Sequence, residues 1–309
     1  MRLRSLIPPA APFALSLTRL SGGDLDLEAR ALRPETRSAQ DRGEWFGPER
    51  AGTVPHRLLG ALEWAQFRTA DLVISTNESY REVAIRRGGM DPKRVFVVRS
   101  GPSRHRFATV RTPDPALKRG KPNLVAYLGV MAPQDGVDHL LRAARFLVRD
   151  LGRTDVAFTL IGSGDSFEDL RALTRELELE DVVHFTGRIS DADVEAILAT
   201  ADVCVSPDPL NPLNDVSTMN KVLEYMACAK PVVCFDLKEH RHSAGDGALY
   251  AEPNKDDELA RGIARLLDDP ALRAAMGDRN RARFLDTMAW EHNAGQLLRA
   301  YETLWTRNA

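Results

Sequence analysis

Cysteine is scarce in this chain, and long apolar runs are absent. The 309 residues include three cysteines, Cys204, Cys228 and Cys234, and no CxxC pair. Each cysteine stands among apolar residues, so we predict buried thiols in a reducing compartment, which are neither disulfides nor metal ligands. No run approaches the roughly 18 apolar residues that a membrane-spanning helix needs, so we expect none. Three prolines interrupt the basic N-terminus, which argues against a signal peptide.

The chain also lacks an excess of charge of either sign. The formal net charge is −2, from 42 Lys and Arg against 44 Asp and Glu, so nothing at the level of the whole chain indicates a nucleic-acid partner. Hydrophobic residues make up 43% and charged residues 28%, which is ordinary for a soluble globular protein. The length allows about two domains.

The first third of the sequence shows little regular pattern. Residues 1–50 are rich in proline, glycine and charge, and we predict a weakly structured segment with one helix near Leu27 to Leu32. The sequence over 51–107 predicts part of an N-terminal α/β domain, and the sequence over 108–122 predicts a linker. The elements expected in this part are helices over 56–70 and 77–87, with Asn77 as N-cap, and strands over 71–75 and 94–99.

From residue 123 the pattern becomes regular. Near-continuous apolar strands alternate with helices, which predicts a parallel sheet covered on both faces. We therefore expect a Rossmann-like α/β domain over 123–288 and a C-terminal crossing helix over 289–309. Ser190 is expected to open one helix through a capping box. The predicted strands are 124–129, 156–161, 182–185, 203–206 and 231–235, and the predicted helices are 137–150, 166–177, 191–200 and 218–227.

The stretch from Pro212 to Phe235 is the most informative. Ser217 or Thr218 is expected to cap a helix that places Lys221 and Glu224 on one face, since they are three residues apart. A cation in the first turn of a helix interacts unfavourably with the helix dipole. A phosphate bound at that place would interact favourably with both the cation and the dipole. Glu224 could accept both hydroxyls of a ribose. The spacing fits a surface Lys–Glu ion pair equally well, so both interpretations stay open here.

Five segments in this order resemble family-4 glycosyltransferases of the GT-B fold, and the likeness covers residues 60–306. They are Tyr127-Leu-Gly-Val-Met, Leu160-Ile-Gly-Ser-Gly-Asp, Phe185-Thr-Gly-Arg, Ala201-Asp-Val-Cys-Val-Ser-Pro and Lys221-Val-Leu-Glu-Tyr-Met-Ala. The resemblance implies one complete Rossmann-like parallel-sheet domain plus a partial N-terminal α/β domain. It also implies that a nucleotide donor lies at the carboxyl ends of the strands, where open α/β sheets bind ligands.

Carried over by position, the resemblance implies a set of donor-binding residues. Gly187 and Arg188 would lie beside the base, Glu224 would hold the ribose, and residues 217–221 would hold the diphosphate. Lys221 is the expected catalytic residue, because its ammonium would neutralise the leaving diphosphate. For each glycine, a tight strand–helix turn is the alternative. The complete donor-binding set is Gly129, Gly162, Gly164, Gly187, Arg188, Ser217, Thr218, Met219, Asn220, Lys221 and Glu224.

The chain departs from the family's pattern in three places. The Arg and Lys that grip phosphate in the first loop are here Val130 and Asp135, and the first glutamate of the paired-glutamate motif is Val216. The segment before residue 56 is also shorter than the family's N-terminal domain. We therefore expect Lys221 to contribute more to phosphate binding than it does in the family, and the isolated chain to be a poor catalyst.

The resemblance implies sugar transfer from a nucleotide-diphosphate donor to a glycan or lipid-linked acceptor, with retention of configuration and without a metal or cofactor. The cytoplasm, at the inner face of the membrane, is the expected location, with peripheral membrane association. Two alternatives remain. One is a nucleotide-sugar-binding module or degenerate half that needs a partner chain to supply the N-terminal domain, and the other is a sugar-nucleotide epimerase.

Overall fold

The computed structural model describes residues 14–17, 54–109 and 111–306. The chain forms two compact units, a larger one of residues 101–289 and a smaller one of residues 1–100 with 290–309. The predicted linker over 108–122 thus falls inside the larger unit. The helix predicted near Leu27 lies outside the described residues.

A six-stranded parallel sheet organises the larger unit, in the order β6-β5-β4-β7-β8-β9. Short apolar strands that are buried on both faces form it, as the sequence pattern predicts. The strands are β4 (Asn123–Leu128), β5 (Val156–Ile161), β6 (Val183–Gly187), β7 (Val203–Ser206), β8 (Val232–Phe235) and β9 (Ala248–Ala251).

Helices cover both faces of this sheet. One face packs on α3, α4 and α8 through residues such as Leu140, Leu170 and Ile263, and the other on α5 and α6 through Leu198 and Leu223. The helices are α3 (Val137–Arg145), α4 (Phe167–Glu176), α5 (Asp191–Thr200), α6 (Asn220–Ala227), α7 (Lys238–Ala244), α8 (Asp256–Asp268) and α9 (Pro270–Arg283).

The chain reverses its direction across the sheet between β4 and β7. It first adds β5 and β6 on one side of β4, and then returns to add β7, β8 and β9 on the other side. Strands β4 and β7 pair only at Val125↔Val203 and Ala126↔Cys204. Beyond these pairs, the fully buried Tyr225 hydroxyl accepts the Leu128 N–H at 2.8 Å and lies 3.1 Å from the Val205 carbonyl, to which it donates. The two strands therefore end at a topological switch point, where open α/β sheets bind ligands.

Several local predictions are confirmed in the larger unit, and one is wrong. Ser190 caps α5 by accepting the Asp193 N–H at 3.2 Å. The residue before α6 is Met219, which has no side-chain cap, so Ser217 and Thr218 are not the N-cap. A 3₁₀ turn over Asn214–Val216 displaces them, and the Ser217 hydroxyl donates instead to the Leu213 carbonyl at 2.7 Å. Helix α7 was not predicted because residues 238–247 are polar, and strand β9 was not predicted because it is only four residues long.

The smaller unit contains a three-stranded sheet in the order β1-β2-β3, with β1 antiparallel to β2 and β2 parallel to β3. The predicted Asn77 cap is confirmed, since its Oδ1 accepts the Tyr80 N–H at 2.8 Å. Strand β1 was not predicted, and it lies within the segment expected to be weakly structured. The elements are β1 (Ala14–Leu17), α1 (Val54–Thr69), β2 (Leu72–Ser75), α2 (Glu78–Arg86), β3 (Val95–Val97) and α10 (Trp290–Thr306).

Candidate functional site

The predicted glycines lie in adjoining loops at the carboxyl ends of β4, β5 and β6. The Gly162 N–H donates to the Gly187 carbonyl at 3.0 Å, and the Gly129 N–H donates to the Ile161 carbonyl at 3.0 Å. A Cβ at Gly162, where φ is +126°, would lie 1.9 Å from the Gly129 oxygen. A Cβ at Gly164 would lie 2.4 Å from the Met131 oxygen. These two glycines are therefore required for loop-to-loop packing, which brings the three loops into contact.

Lys221 extends from the first turn of α6 into the switch point between β4 and β7. Its Nζ lies 2.6 Å from Asp208 Oδ1, 3.8 Å from Asp135 Oδ1 and 5.3 Å from the centre of the Tyr127 ring. A Cβ on Gly129 would lie 3.2 Å from Lys221 Cε, so the absence of a side chain there leaves room for the lysine. The lysine is only 9% exposed. The alternative of a surface Lys–Glu pair is therefore wrong, because the partner of Lys221 is Asp208.

Asp208 holds this lysine through a buried network. The carboxylate is 1% exposed, and the Ser206 hydroxyl donates to its Oδ2 at 2.5 Å. Nε2 of His240, which is also 1% exposed, lies 3.7 Å from the same oxygen. Burial raises the pKa of Asp208, but Lys221 and His240 lower it by more, so that it lies well below its usual value. Asp208 is therefore an ionised carboxylate in contact with Lys221.

Asp135 is a second carboxylate facing Lys221, with its Oδ1 3.8 Å from Nζ. Its Oδ2 accepts the Ala132 N–H at 3.2 Å, which folds the β4–α3 loop back on itself. Burial raises its pKa from 3.8 to about 6, with Asp208 adding to the rise and Lys221 opposing it. Asp135 therefore changes its charge close to neutral pH.

Glu224 lies one turn after Lys221 but in different surroundings. Burial raises its pKa, Arg106 opposes the rise, and Asp191 and Glu195 add to it. Within the part of the chain that the structure describes, its carboxylate makes no hydrogen bond or ion pair. A half-buried acceptor in this condition is suited to hydroxyl donors of a ligand.

The other predicted residues differ in how they are placed. Arg188 and Asn220 are exposed, while Ser217 and Met219 are half-buried. The Thr218 hydroxyl donates to Glu239 Oε2 at 3.3 Å and so faces α7. The structure therefore brings Gly129, Gly162 and Lys221 together, whereas the exposed Arg188 side chain makes no hydrogen bond or ion pair among the described residues.

Sequence reasoning did not single out Ser206, Asp208 or His240. The signal for Asp208 was present, because a polar Ser-Pro-Asp-Pro segment follows the apolar strand β7 at the functional edge of the sheet. The signal for His240 was absent, because α7 was not predicted. Asp208 contacts Lys221 directly and His240 contacts Asp208, and this cluster forms because β7 and β8 lie side by side in the sheet.

Residues 14–17, 54–109 and 111–306 contain neither a metal-binding cluster nor a membrane-spanning helix. Within those ranges, no cluster of three or more His, Cys, Asp or Glu side chains could hold a metal ion. None of the described helices is long and apolar enough to cross a bilayer.

Comparison with known proteins identifies the family. Residues 111–283 match the family described as glycosyl transferases, group 1. Over 270 residues the chain is 28% identical to the MMP alpha-(1→4)-mannosyltransferase of Mycolicibacterium hassiacum, covering 86% of this chain and 59% of that protein. Over 281 residues it is 30% identical to the D-inositol 3-phosphate glycosyltransferase of Kineococcus radiotolerans, covering 84% of this chain and 61% of that protein. The chain thus spans less than two thirds of the length of these relatives.

Solved structures show the same fold. Sucrose-phosphate synthase from Thermosynechococcus elongatus superimposes with a TM-score of 0.67 at 22% identity, over 86% of this chain and 65% of that one. Anabaena HepE in complex with UDP-glucose superimposes with a TM-score of 0.63 at 20% identity, over 85% and 70%. These likenesses confirm the predicted GT-B-like α/β fold. Together with the match over more than half of its length, they show that this chain belongs to the glycosyl transferases group 1 family.

Proposed function

We propose that this chain transfers a sugar from a nucleotide-diphosphate donor to a glycan or lipid-linked acceptor. The observation that carries the proposal is the position of Lys221, a nearly buried cation in the first turn of α6, at the switch point between β4 and β7. A helix N-terminus and an ammonium directed to one place favour a diphosphate there. As the bond to the sugar breaks, negative charge develops on the leaving diphosphate, and Lys221 stabilises it.

Glu224 supports a nucleotide in particular. Its carboxylate lies one turn from Lys221, makes no hydrogen bond within residues 54–109 and 111–306, and can accept from the two ribose hydroxyls. Its relatives include the GDP-mannose-dependent alpha-(1-6)-phosphatidylinositol monomannoside mannosyltransferase of Mycolicibacterium smegmatis, and HepE is solved with UDP-glucose. A uridine or guanosine diphosphate sugar is therefore the donor class that we propose for this chain.

Binding measurements test the proposal. Calorimetry with uridine, guanosine and adenosine diphosphates should find one that binds more tightly than millimolar, and Lys221→Met should weaken it. Glu224→Gln should weaken it by roughly 10- to 150-fold, the equivalent of about 1.5–3 kcal/mol for a lost hydroxyl acceptor. The 2′,3′-dideoxy analogue should bind both proteins equally, because it lacks the hydroxyls. Glu258→Gln, an exposed change on α8, is the control. If Glu224→Gln leaves the ribonucleotide affinity unchanged, the assigned ribose site is wrong.

We also propose that the reaction needs no metal, because the helix terminus and Lys221 supply the positive charge at the diphosphate. Donor binding and turnover should then persist in excess EDTA, and Mg²⁺ or Mn²⁺ added afterwards should have no effect. Loss of activity with EDTA and its recovery with Mn²⁺ would contradict the proposal.

Four further properties stay predictions from the sequence. They are transfer with retention of configuration, peripheral membrane association, a cytoplasmic location at the inner face of the membrane, and a partner chain.

Incubation of the chain with a donor and candidate acceptors separates a transferase from a binding module. Transfer establishes the enzyme, whereas tight donor binding without transfer or hydrolysis favours the module. Proton NMR of the product gives its anomeric configuration.

A further inference from the structure

The buried side chain of His240 lies beside the Cys234 side chain and contacts three other polar groups near the switch point. Its Nδ1 lies 2.8 Å from the Phe235 carbonyl oxygen, and its Nε2 lies 3.2 Å from Ser206 Oγ and 3.7 Å from Asp208 Oδ2. A carbonyl oxygen only accepts hydrogen bonds, so Nδ1 carries a proton.

The Ser206 hydroxyl decides the state of the second ring nitrogen. It has one proton, and at 2.5 Å from the ionised Asp208 Oδ2 that proton lies in the hydrogen bond to the carboxylate. Ser206 Oγ can then only accept from His240. The 3.2 Å contact is therefore a hydrogen bond only if Nε2 is protonated as well, which makes the ring an imidazolium.

The other distribution of protons would put a hydrogen on Asp208 and leave the ring neutral. It is disfavoured because Lys221 Nζ lies 2.6 Å from the same carboxyl group and holds its pKa well below the usual value. Burial lowers the pKa of His240, whereas the neighbouring Cys234 sulfur and the Asp208 carboxylate raise it above its usual value. The hydrogen bonds of the two ring nitrogens and the adjacent carboxylate together favour the charged ring.

We propose that His240 is a buried imidazolium that neutralises the negative charge of Asp208, so that the positive charge of Lys221 is available to the diphosphate of the donor. His240 is a positioning residue, because it acts through Asp208 and does not touch the substrate. The inference rests on the proposed nucleotide-sugar site. With a neutral histidine, Lys221 and Asp208 would cancel. With the imidazolium, Lys221, Asp208 and His240 together carry one net positive charge while Asp135 is protonated, whereas the neutral ring would leave a net negative charge on the cluster once Asp135 ionises.

Nitrogen-15 NMR of the histidine-labelled full chain tests the charge directly. The His240 signals are assigned by their absence in His240→Gln, or in His240→Asn if the first variant does not fold. Both ring nitrogens should be protonated at pH 8. A ring that is neutral at pH 8, or that titrates below pH 7, overturns the inference.

Calorimetry tests the consequence for binding. We use the uridine, guanosine or adenosine diphosphate that binds best, together with its parent nucleoside. His240→Gln should lower the affinity for the diphosphate about tenfold and leave the affinity for the nucleoside unchanged. A change of about this size is expected when one charge a few ångströms from the site is lost. His242→Gln, an exposed change on the same helix, should affect neither.

Lys221→Met separates this inference from the proposed function. If Lys221→Met weakens the diphosphate and His240→Gln does not, the inference fails and the site stands. If neither change affects the diphosphate, or if no diphosphate binds, the proposed site itself is wrong. If His240→Gln weakens nucleoside and diphosphate equally, the role of His240 is structural and the inference fails as well.

Discussion

At the scale of single residues, the charge of Asp135 is the feature that most distinguishes this site. The pKa is raised to about 6, so the carboxyl is largely protonated below pH 6 and ionised above it. Ionised Asp135 competes with a diphosphate for Lys221, 3.8 Å away. The affinity for a sugar-diphosphate donor, whose phosphates do not titrate in this range, should therefore fall about tenfold from pH 5 to pH 7.5.

Asp135→Asn should remove this pH dependence and tighten donor binding at pH 7.5, because it deletes the competing charge. Asp138→Asn, three residues further on, is the matched control and should keep the wild-type profile. Calorimetry at several pH values gives the result, and a pH dependence that survives in Asp135→Asn would assign it to another group.

At the scale of elements, Tyr225 of α6 bridges the ends of β4 and β7. Tyr225→Phe leaves the Leu128 N–H and the Val205 carbonyl unpaired in a buried place. We expect a loss of about 1–3 kcal/mol in the stability of the larger unit. Tyr250→Phe is the control, because it removes the hydrogen bond from the Tyr250 hydroxyl to the Gly245 carbonyl, at a half-buried position. Urea-dependent hydrogen exchange of peptides covering β4 and β7 measures both, and equal losses would contradict a special role for Tyr225.

At the scale of the whole molecule, the two units differ in the size of their cores. The sheet of the smaller unit has three strands of three or four residues, with two small apolar clusters. The larger unit has six strands between two extensive clusters. Hydrogen exchange should therefore be faster across residues 56–100 than across β4 and β5. Equal protection in the two regions would contradict this expectation.

Helix α10 provides a variant for the same measurement. Its Ala300 is fully buried and packs with Leu72, Ile74 and Val98, and Asn293 Oδ1 accepts the Arg99 N–H at 3.0 Å. A chain that ends at residue 289 should exchange faster in β2 and β3 and keep its protection in β4. Unchanged exchange in β2 would show that α10 does not stabilise the smaller unit.

The sequence by itself determined the local features of this protein. The boundaries of β5 and β7, the position of β4 to within one residue, and the caps at Asn77 and Ser190 follow from patterns only a few residues long. The family likeness around Lys221 and Glu224 does so too. Such patterns are readable because strand and helix periods and most caps depend on neighbouring residues. The N-cap of α6 was the exception, since a turn formed by Asn214–Val216 competed for the same segment.

Only the tertiary structure decided which groups surround Lys221. Ser206 and His240 are 34 residues apart, and Lys221 and Asp208 are 13 apart. They meet because β7 and β8 pair in parallel, which places their carboxyl ends side by side, and no local pattern specifies this pairing. The protonation of His240 depends in turn on which hydrogen-bond partners this arrangement supplies. Residue types along the chain therefore predict a phosphate site, whereas its charge is set by contacts that exist only in the folded sheet.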